Sequence, residues 1–300
     1  MAATPRPHRF SIPMATRSTD VSMMGQCPGR FVLTCFYEQE QAEASFFILG
    51  SLLHSSIECS IVFDLDLDGA LRHYNAALDA ELERVDASPA RRIESSKRGF
   101  DTLREDGERM LGNWFRSVHP DSAKRHPIYD DYEWPPRTEV PFMFPASLAG
   151  TKYPVWGSVD AIFKAKTSVE HALVDWKSGT SRQRTDDQLH FYEFGLSTLE
   201  IQAAWFHHLD KVRNSAVIQE VGPWPGSAAI RQRILETEAA KERIVAGHMP
   251  EFNPSFLCPW CPVQQFCPAD GDVRDRPENQ RKLQNLLRLA KPMQTIERVA

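Results

Sequence analysis

A chain of 300 residues, 42% hydrophobic and 25% charged, has the composition of an ordinary folded protein and the length for one large domain or two small ones. Its net charge of −5 excludes a uniformly basic coat for holding phosphates, but not a nucleic-acid enzyme whose site gathers acids around metal ions. No apolar run approaches the roughly 20 residues of a bilayer span, since residues 46–53 lead straight into His54 and Glu58, and no membrane partner is expected.

Residues 1–20 carry several Arg and few acids, and Pro5, Pro7 and Pro13 break any apolar stretch, so they read as a loose leader and not as a secretory signal. Residues 38–61 read as a helix with an apolar stripe through Phe46, Phe47, Gly50, Leu53 and Ile57, a register that sets His54 and Glu58 on neighbouring turns. Two further helices are predicted between residues 71 and 118, broken near Ser88 and Pro89. Residues 119–136, with four prolines and several acids, form a loop that ends the helical part.

The texture then changes. Residues 140–144, 155–163 and 172–176 are short and β-rich, residues 186–199 follow as a helix capped by Thr185 or Asp186, and residues 201–209 and 216–221 read as two more strands. That order argues for an α/β domain on a mixed sheet. Helices are predicted over residues 228–246 and 278–289, with a cysteine cluster between them.

The most informative stretch is Gly157-Ser158-Val159-Asp160, followed by Leu173-Val174-Asp175-Trp176-Lys177-Ser178-Gly179. Side chains alternate along a strand, so Asp175 and Lys177 project to one face about 7 Å apart, while Val174 faces the other way. Asp160 approaches from the adjoining strand. Two carboxylates held that close repel unless a divalent cation lies between them, and hard oxygen ligands suit Mg2+ or Mn2+. Such an ion binds a phosphate and acidifies an attacking water, with Lys177 beside it to orient that water and offset developing charge. Eleven residues after Lys177, Gln188 and Tyr192 fall at i, i+4 on one helix face, within reach of the same site. His54 is a candidate third ligand. Glu139 is a weaker candidate, as a supporting acid behind the ligands. Lys164, Lys166, Arg182 and Arg184 are expected to supply positive charge nearby.

Of six cysteines, Cys258, Cys261 and Cys267 fall within ten residues as C-x2-C-x5-C, a spacing that lets one loop wrap a metal centre. Without an export signal, ligation is a better reading than disulfides. Structural zinc and cubane clusters usually take four protein ligands, and Cys27, in Gln26-Cys27-Pro28-Gly29-Arg30-Phe31, is the remaining candidate. Joining residue 27 to residue 258 and beyond closes most of the chain into one loop. Cys35 and Cys59 are left as buried free thiols.

Taken in order, G-x-x-x-H, G-x-x-D, D-x-K and Q-x-x-x-Y resemble the RecB-like branch of the PD-(D/E)xK nucleases, over about residues 22 to 270 with the cysteines included. The resemblance implies metal ligation by His54, Asp160 and Asp175, an essential Lys177, and support of the site by Gln188 and Tyr192. It implies a restriction-endonuclease-like mixed sheet flanked by helices, with residues 1–20 as leader and 21–270 as nuclease domain. Within that domain it implies a helical insertion at about 65–120, a catalytic sheet core at 137–221 and a cysteine cluster at 255–270, with a C-terminal helix in 271–300. A Cys-Pro-x-x-Phe ahead of the core and C-x2-C-x5-C behind it look like the [4Fe–4S] staple of the AddB subunit and of the CRISPR-associated RecB-like exonucleases, held by Cys27, Cys258, Cys261 and Cys267, with zinc as the rival occupant. The implied activity is Mg2+- or Mn2+-dependent exonucleolytic cleavage of DNA from single-stranded or frayed ends. The implied setting is recombination, repair or CRISPR-type processing in the cytoplasm of a bacterial or phage-infected cell, with a helicase or integrase-type partner. Two departures stand out: Val159 replaces the proline before the acid, and Trp176 is bulky for the middle of D-x-K. The rival readings are a non-catalytic DNA-binding relative that uses the cluster as scaffold, and a transfer-RNA or protein-interaction module with a zinc knot.

Overall fold

The computed structural model describes residues 11–37, 42–88, 91–93, 99–178, 187–221, 227–255, 258, 261–269 and 277–293. In chain order the elements are β1 (Ser11–Pro13), α1 (Ser18–Gln26), α2 (Pro28–Phe36), β2 (Ala42–Ala44), α3 (Ser45–Val62), α4 (Leu67–Ala87), β3 (Arg91–Ile93), α5 (Leu103–Val118), β4 (Arg137–Phe144), α6 (Ala146–Ala149), β5 (Val155–Lys164), β6 (His171–Ser178), α7 (Asp187–Gly195), β7 (Ile201–Leu209), β8 (Ala216–Val221), α8 (Ser227–Val245), α9 (Pro277–Leu289) and β9 (Lys291–Met293). They group into two units: residues 42–142 with 158–227, and residues 1–41 with 143–157 and 228–300.

The first unit is organised by a five-stranded sheet of order β4-β5-β6-β7-β8. β5 and β6 run antiparallel, β6 and β7 parallel with α7 as the crossover, and β7 and β8 antiparallel. Central β6 is buried on both faces from Ala172 to Trp176. Ala172, Val174 and Trp176 share a core with Leu53 and Ile57 of α3, Tyr74 and Leu78 of α4, and Leu111 and Trp114 of α5. The two helices expected as an insertion therefore pack into the same core as the sheet. α4 starts where Asp66 caps it, its carboxylate accepting from the Gly69 amide at 2.7 Å.

The register of α3 differs from the sequence expectation. Ile48, Leu49, Leu53, Ile57 and Ile61 are buried, whereas Phe46 and Phe47 are 42% and 70% exposed. The helix is apolar on more than one side, so periodicity alone admits two stripes. The packing against α4, α5 and β6 selects the aliphatic one. By length and composition α3 is apolar enough to cross a membrane, but its buried face belongs to this core.

In the second unit, Ser11–Pro13, read from the sequence as part of a loose leader, is a strand pairing in parallel with Lys291–Met293. Ile12 and Met14 are buried there with Phe31, Val32 and Phe36 of α2, and with Leu283 and Leu287 of α9. Lys241 of α8 is fully buried, its ammonium donating to Asp20 Oδ2 and the Ala15 carbonyl, each at 2.9 Å. Neither α1 nor α2 was legible, because the Arg and Pro content of the region masked their apolar spacing.

Two glycines of α5 offer a matched test of packing. A Cβ at Gly107 would lie 2.0 Å from the ring of Tyr74, whose hydroxyl is held by the Leu103 carbonyl at 2.7 Å, whereas a Cβ at Gly112 meets nothing within 4 Å. Gly107→Ala is expected to cost about 1–3 kcal/mol by overpacking. Gly112→Ala should gain about 0.5–1 kcal/mol from helix propensity. Urea denaturation midpoints measure both.

Candidate active site

Register brings the two aspartates together. The antiparallel β5–β6 ladder ends at the Ala161–Val174 pair, and Asp160 and Asp175 are the next residues on the two strands. Alternation turns Asp175 to the face away from Val174 and Trp176. Asp175 is 1% exposed and its Oδ1 lies 2.6 Å from Lys177 Nζ, while its Oδ2 has no hydrogen-bond partner among the described residues. Lys177 also donates to Gln188 Oε1 at 2.9 Å, sits 5.3 Å from the Phe206 ring centre, and is braced by Gln188 Nε2 donating to the Tyr192 hydroxyl at 2.6 Å. The i, i+4 pair on α7 thus addresses the lysine.

His54 enters from α3. Its Nε2 lies 2.9 Å from the Trp176 carbonyl, which can only accept, so Nε2 carries the proton and Nδ1 keeps its lone pair. Nδ1 is 3.5 Å from Asp160 Oδ2, and Asp160 Oδ2 accepts from the Trp176 amide at 2.8 Å. One peptide unit on each side of Trp176 therefore orients both groups.

Glu139 is closer to the centre than its sequence position suggested. Ligand atoms of His54, Glu139 and Asp160 all lie within 4.8 Å of one another. Ser158 Oγ donates to Glu139 Oε2 at 3.4 Å, and Glu139 adopts the left-handed φ of 44°, a backbone conformation costly for a residue with a side chain and frequent at functional sites. No sequence signal reports that φ. His54, Glu139, Glu58, Gly50, Ser51, Ser55, Ser178, Phe46 and Phe47 line one open cleft of about 630 Å3. Gly50 lets α3 come close here, since a Cβ would stand 3.3 Å from Ser178 Oγ.

The electrostatics are those of acids crowded without enough countercharge. Burial, then repulsion from Asp175, pushes Asp160 well above the ordinary carboxylate range. Burial raises Asp175 against the pull of Lys177, and burial followed by Glu58 raises Glu139. Burial lowers His54, which favours the neutral ligand form. A divalent cation fits this donor set of one imidazole and several carboxylates.

Lys164 and Lys166 do not join the site. Lys164 pairs with His171, at the opposite end of β6 from Lys177, and its ammonium binds Glu133 at 2.8 Å. Lys166 donates to the Asp130 carbonyl at 2.7 Å. Each spends its charge on a local acid or carbonyl. Arg182, Arg184, Gly179 and the expected caps at Thr185 and Asp186 lie outside the described residues.

In the other unit, Cys27, Cys258, Cys261 and Cys267 line a single cavity of about 210 Å3 with Arg30, Phe252 and Gln264. Gly29 makes the approach possible, because a Cβ there would stand 2.2 Å from the Phe252 ring. Its amide donates to the Glu251 carbonyl at 2.8 Å, and Asn253 Nδ2 donates to the Gln26 carbonyl at 3.1 Å. All six cysteines are free thiols. Burial raises Cys261 and pushes Cys267 up to about 11, so these thiols ionise only with a cation to compensate. Burial also pushes Cys35 up to about 12, in keeping with an inert thiol, while Cys59 Sγ lies 3.4 Å from His73 Nε2.

The raised carboxylates carry a sign. In the metal-free fold Asp160 keeps a proton that the unfolded chain loses above about pH 4. Its share of stability is therefore full below that value and is lost as pH rises through the raised one. Binding a cation expels that proton and competes with protonation of His54, so Mn2+ should raise the Tm more near pH 8 than near pH 5. Asp160→Asn should raise the metal-free Tm near pH 8 and abolish the Mn2+ response, both read by differential scanning calorimetry.

Residues 19–268 match the family model described as the PD-(D/E)XK nuclease superfamily. No curated protein matches the chain. The crystal structure of SSO0001 is similar over 80% of this chain and 95% of its own, at 16% identity and a TM-score of 0.32, a likeness too low to carry an argument. With most of its length matched and an acid, an acid and a lysine gathered on adjacent strands, the chain belongs to the PD-(D/E)XK nuclease superfamily, whose chemistry is hydrolysis of phosphodiester bonds in nucleic acids.

Proposed function

We propose that the protein is a Mg2+- or Mn2+-dependent deoxyribonuclease of the RecB-like branch, degrading DNA from single-stranded or frayed ends, with a [4Fe–4S] cluster stapling its cysteine unit. The observation that carries this reading is the grouping of His54, Glu139 and Asp160 ligand atoms within 4.8 Å of one another, beside an open cleft lined by His54 and Glu139, with the Asp175–Lys177 pair on β6 next to them. His54 Nδ1 and the carboxylates of Asp160 and Glu139 would hold the cation, and Asp175, with one oxygen lacking a hydrogen-bond partner among the described residues, would be a further ligand. A bound divalent ion supplies Lewis acidity toward the scissile phosphate and lowers the pKa of a nearby water.

The chain's own residues do the positioning. Lys177, held between Asp175 and Gln188, presents an ammonium that orients the attacking water and stabilises charge gathering on the phosphoryl oxygens. Water adds to phosphorus, the P–O ester bond breaks, and the departing alkoxide takes up a proton. Gln188 and Tyr192 act as positioning residues that keep the ammonium from swinging into solvent.

In this reading the four cysteines that line one cavity hold a cubane, with a single zinc ion as the rival occupant. Arg30 beside it offsets the negative charge of a thiolate-ligated cluster. The cluster's role in this reading is structural. The setting is the bacterial or phage-infected cytoplasm, in recombination, repair or CRISPR-type processing, with a helicase or integrase-type partner delivering the DNA.

Purified protein with Mn2+ should shorten end-labelled single-stranded DNA, and Lys177→Ala should lower the rate by about 10²–10³-fold or more without loss of fold. Binding of DNA without any metal-stimulated cleavage would instead identify a non-catalytic relative. Anaerobically purified protein should be brown with broad visible absorbance, lost in Cys27→Ser. A colourless protein containing zinc, which has a filled d shell, rejects the cluster.

A further inference from the structure

We infer that Phe46 and Phe47 form a stacking platform for an unpaired nucleobase beside the scissile phosphate, a substrate subsite of the cleft that rests on the nuclease reading above. Both rings are exposed, at 42% and 70%, with centres 4.6 Å apart, and both line the same cleft as His54 and Glu139. Two adjacent phenylalanines turned outward on a helix that buries Ile48, Leu49, Leu53 and Ile57 are a cost in water that folding does not require.

Helix geometry sets their relation to the metal ligand. Phe47 and His54 are seven residues apart, within about 20° of each other round the helix and about 10 Å along it. Between them lie Gly50 and Ser51, which also line the cleft and leave an open floor for a sugar-phosphate chain. Charge selects what can occupy each part. The inner cleft carries Glu58 and Glu139, with Asp160 close behind Glu139 and His54, and tolerates a phosphate only beside a cation, whereas the aromatic rim is neutral and accepts the flat face of a base.

Base faces inside a duplex are covered by their neighbours, so a protruding platform selects single strands and frayed ends, without preference for sequence. The platform thus names the substrate form that the carboxylates and lysine cannot.

The test compares wild type with Phe46→Ala/Phe47→Ala and with Phe47→Trp, on single-stranded oligothymidylates carrying 2-aminopurine near one end or the other. Because both side chains are exposed, the variants should keep the wild-type Tm. The double alanine variant should raise KM for single strands about tenfold or more with kcat little changed, and should lose the 2-aminopurine quenching seen with wild type. Phe47→Trp should keep the quenching and a KM near wild type. Unchanged KM and quenching in the double variant overturn the platform while leaving the nuclease standing. Binding and quenching by wild type without Mn2+-dependent cleavage does the reverse, removing the nuclease and keeping the platform.

Discussion

The site depends on the backbone on either side of one tryptophan. The Trp176 amide donates to Asp160 and the Trp176 carbonyl accepts from His54, so the two groups are tied to the end of β6 before any cation arrives. What holds that backbone is the indole, 2% exposed and set edge-on against Trp114 at 6.2 Å and His207 at 5.5 Å. His207 is itself immobilised, with Nδ1 at 2.5 Å from the Tyr129 hydroxyl and Nε2 at 3.1 Å from Ser117 Oγ, and burial pushes its pKa down to about 3. A bulky residue between the acid and the lysine, without evident purpose in the sequence, is the bolt between the aromatic core and the candidate metal ligands His54 and Asp160.

Against that rigid frame stands an electrostatic load. Asp160 and Asp175 repel one another, and Glu139, in a left-handed conformation, is repelled by Glu58. Such crowding costs the fold stability, and a cation bound there would link metal binding, proton release and stability in one equilibrium. The lysine is the internal counterweight, and its three supports from Asp175, Gln188 and Phe206 show how much structure is devoted to keeping one ammonium in place.

The cysteine unit solves a different problem with similar means. Its four thiols come from opposite ends of the chain, and the packing of Gly29 on Phe252, with the hydrogen bonds from the Gly29 amide to the Glu251 carbonyl and from the Asn253 side chain to the Gln26 carbonyl, brings Cys27 to the later three. The buried Asp20–Lys241 pair fastens the same two stretches, and a buried pair of that kind is costly to break by removing one partner.

Much of this was legible in the residues because some chemistry is local. Alternation along a strand puts Asp175 and Lys177 on one side whatever the fold does, i, i+4 spacing puts Gln188 and Tyr192 on one helix face, and β-branched and aromatic runs marked β7 and β8 to the residue. Cysteine spacing likewise needs no tertiary knowledge. What depended on which surfaces meet was not legible. The stripe of α3 was misplaced because two apolar faces competed and only contact with α4, α5 and β6 chooses between them; Lys164 was misplaced because register, not proximity in sequence, decides which end of a strand faces the site. The nearness of Glu139 to His54 and Asp160 arises from a backbone twist that no pattern encodes. The sequence alone determined which chemical groups were available and which neighbours share a face, since those follow from covalent geometry and periodicity. Tertiary structure alone decided which distant groups meet and which apolar side chains stay in water, because those outcomes minimise the free energy of the whole core and not of any one segment.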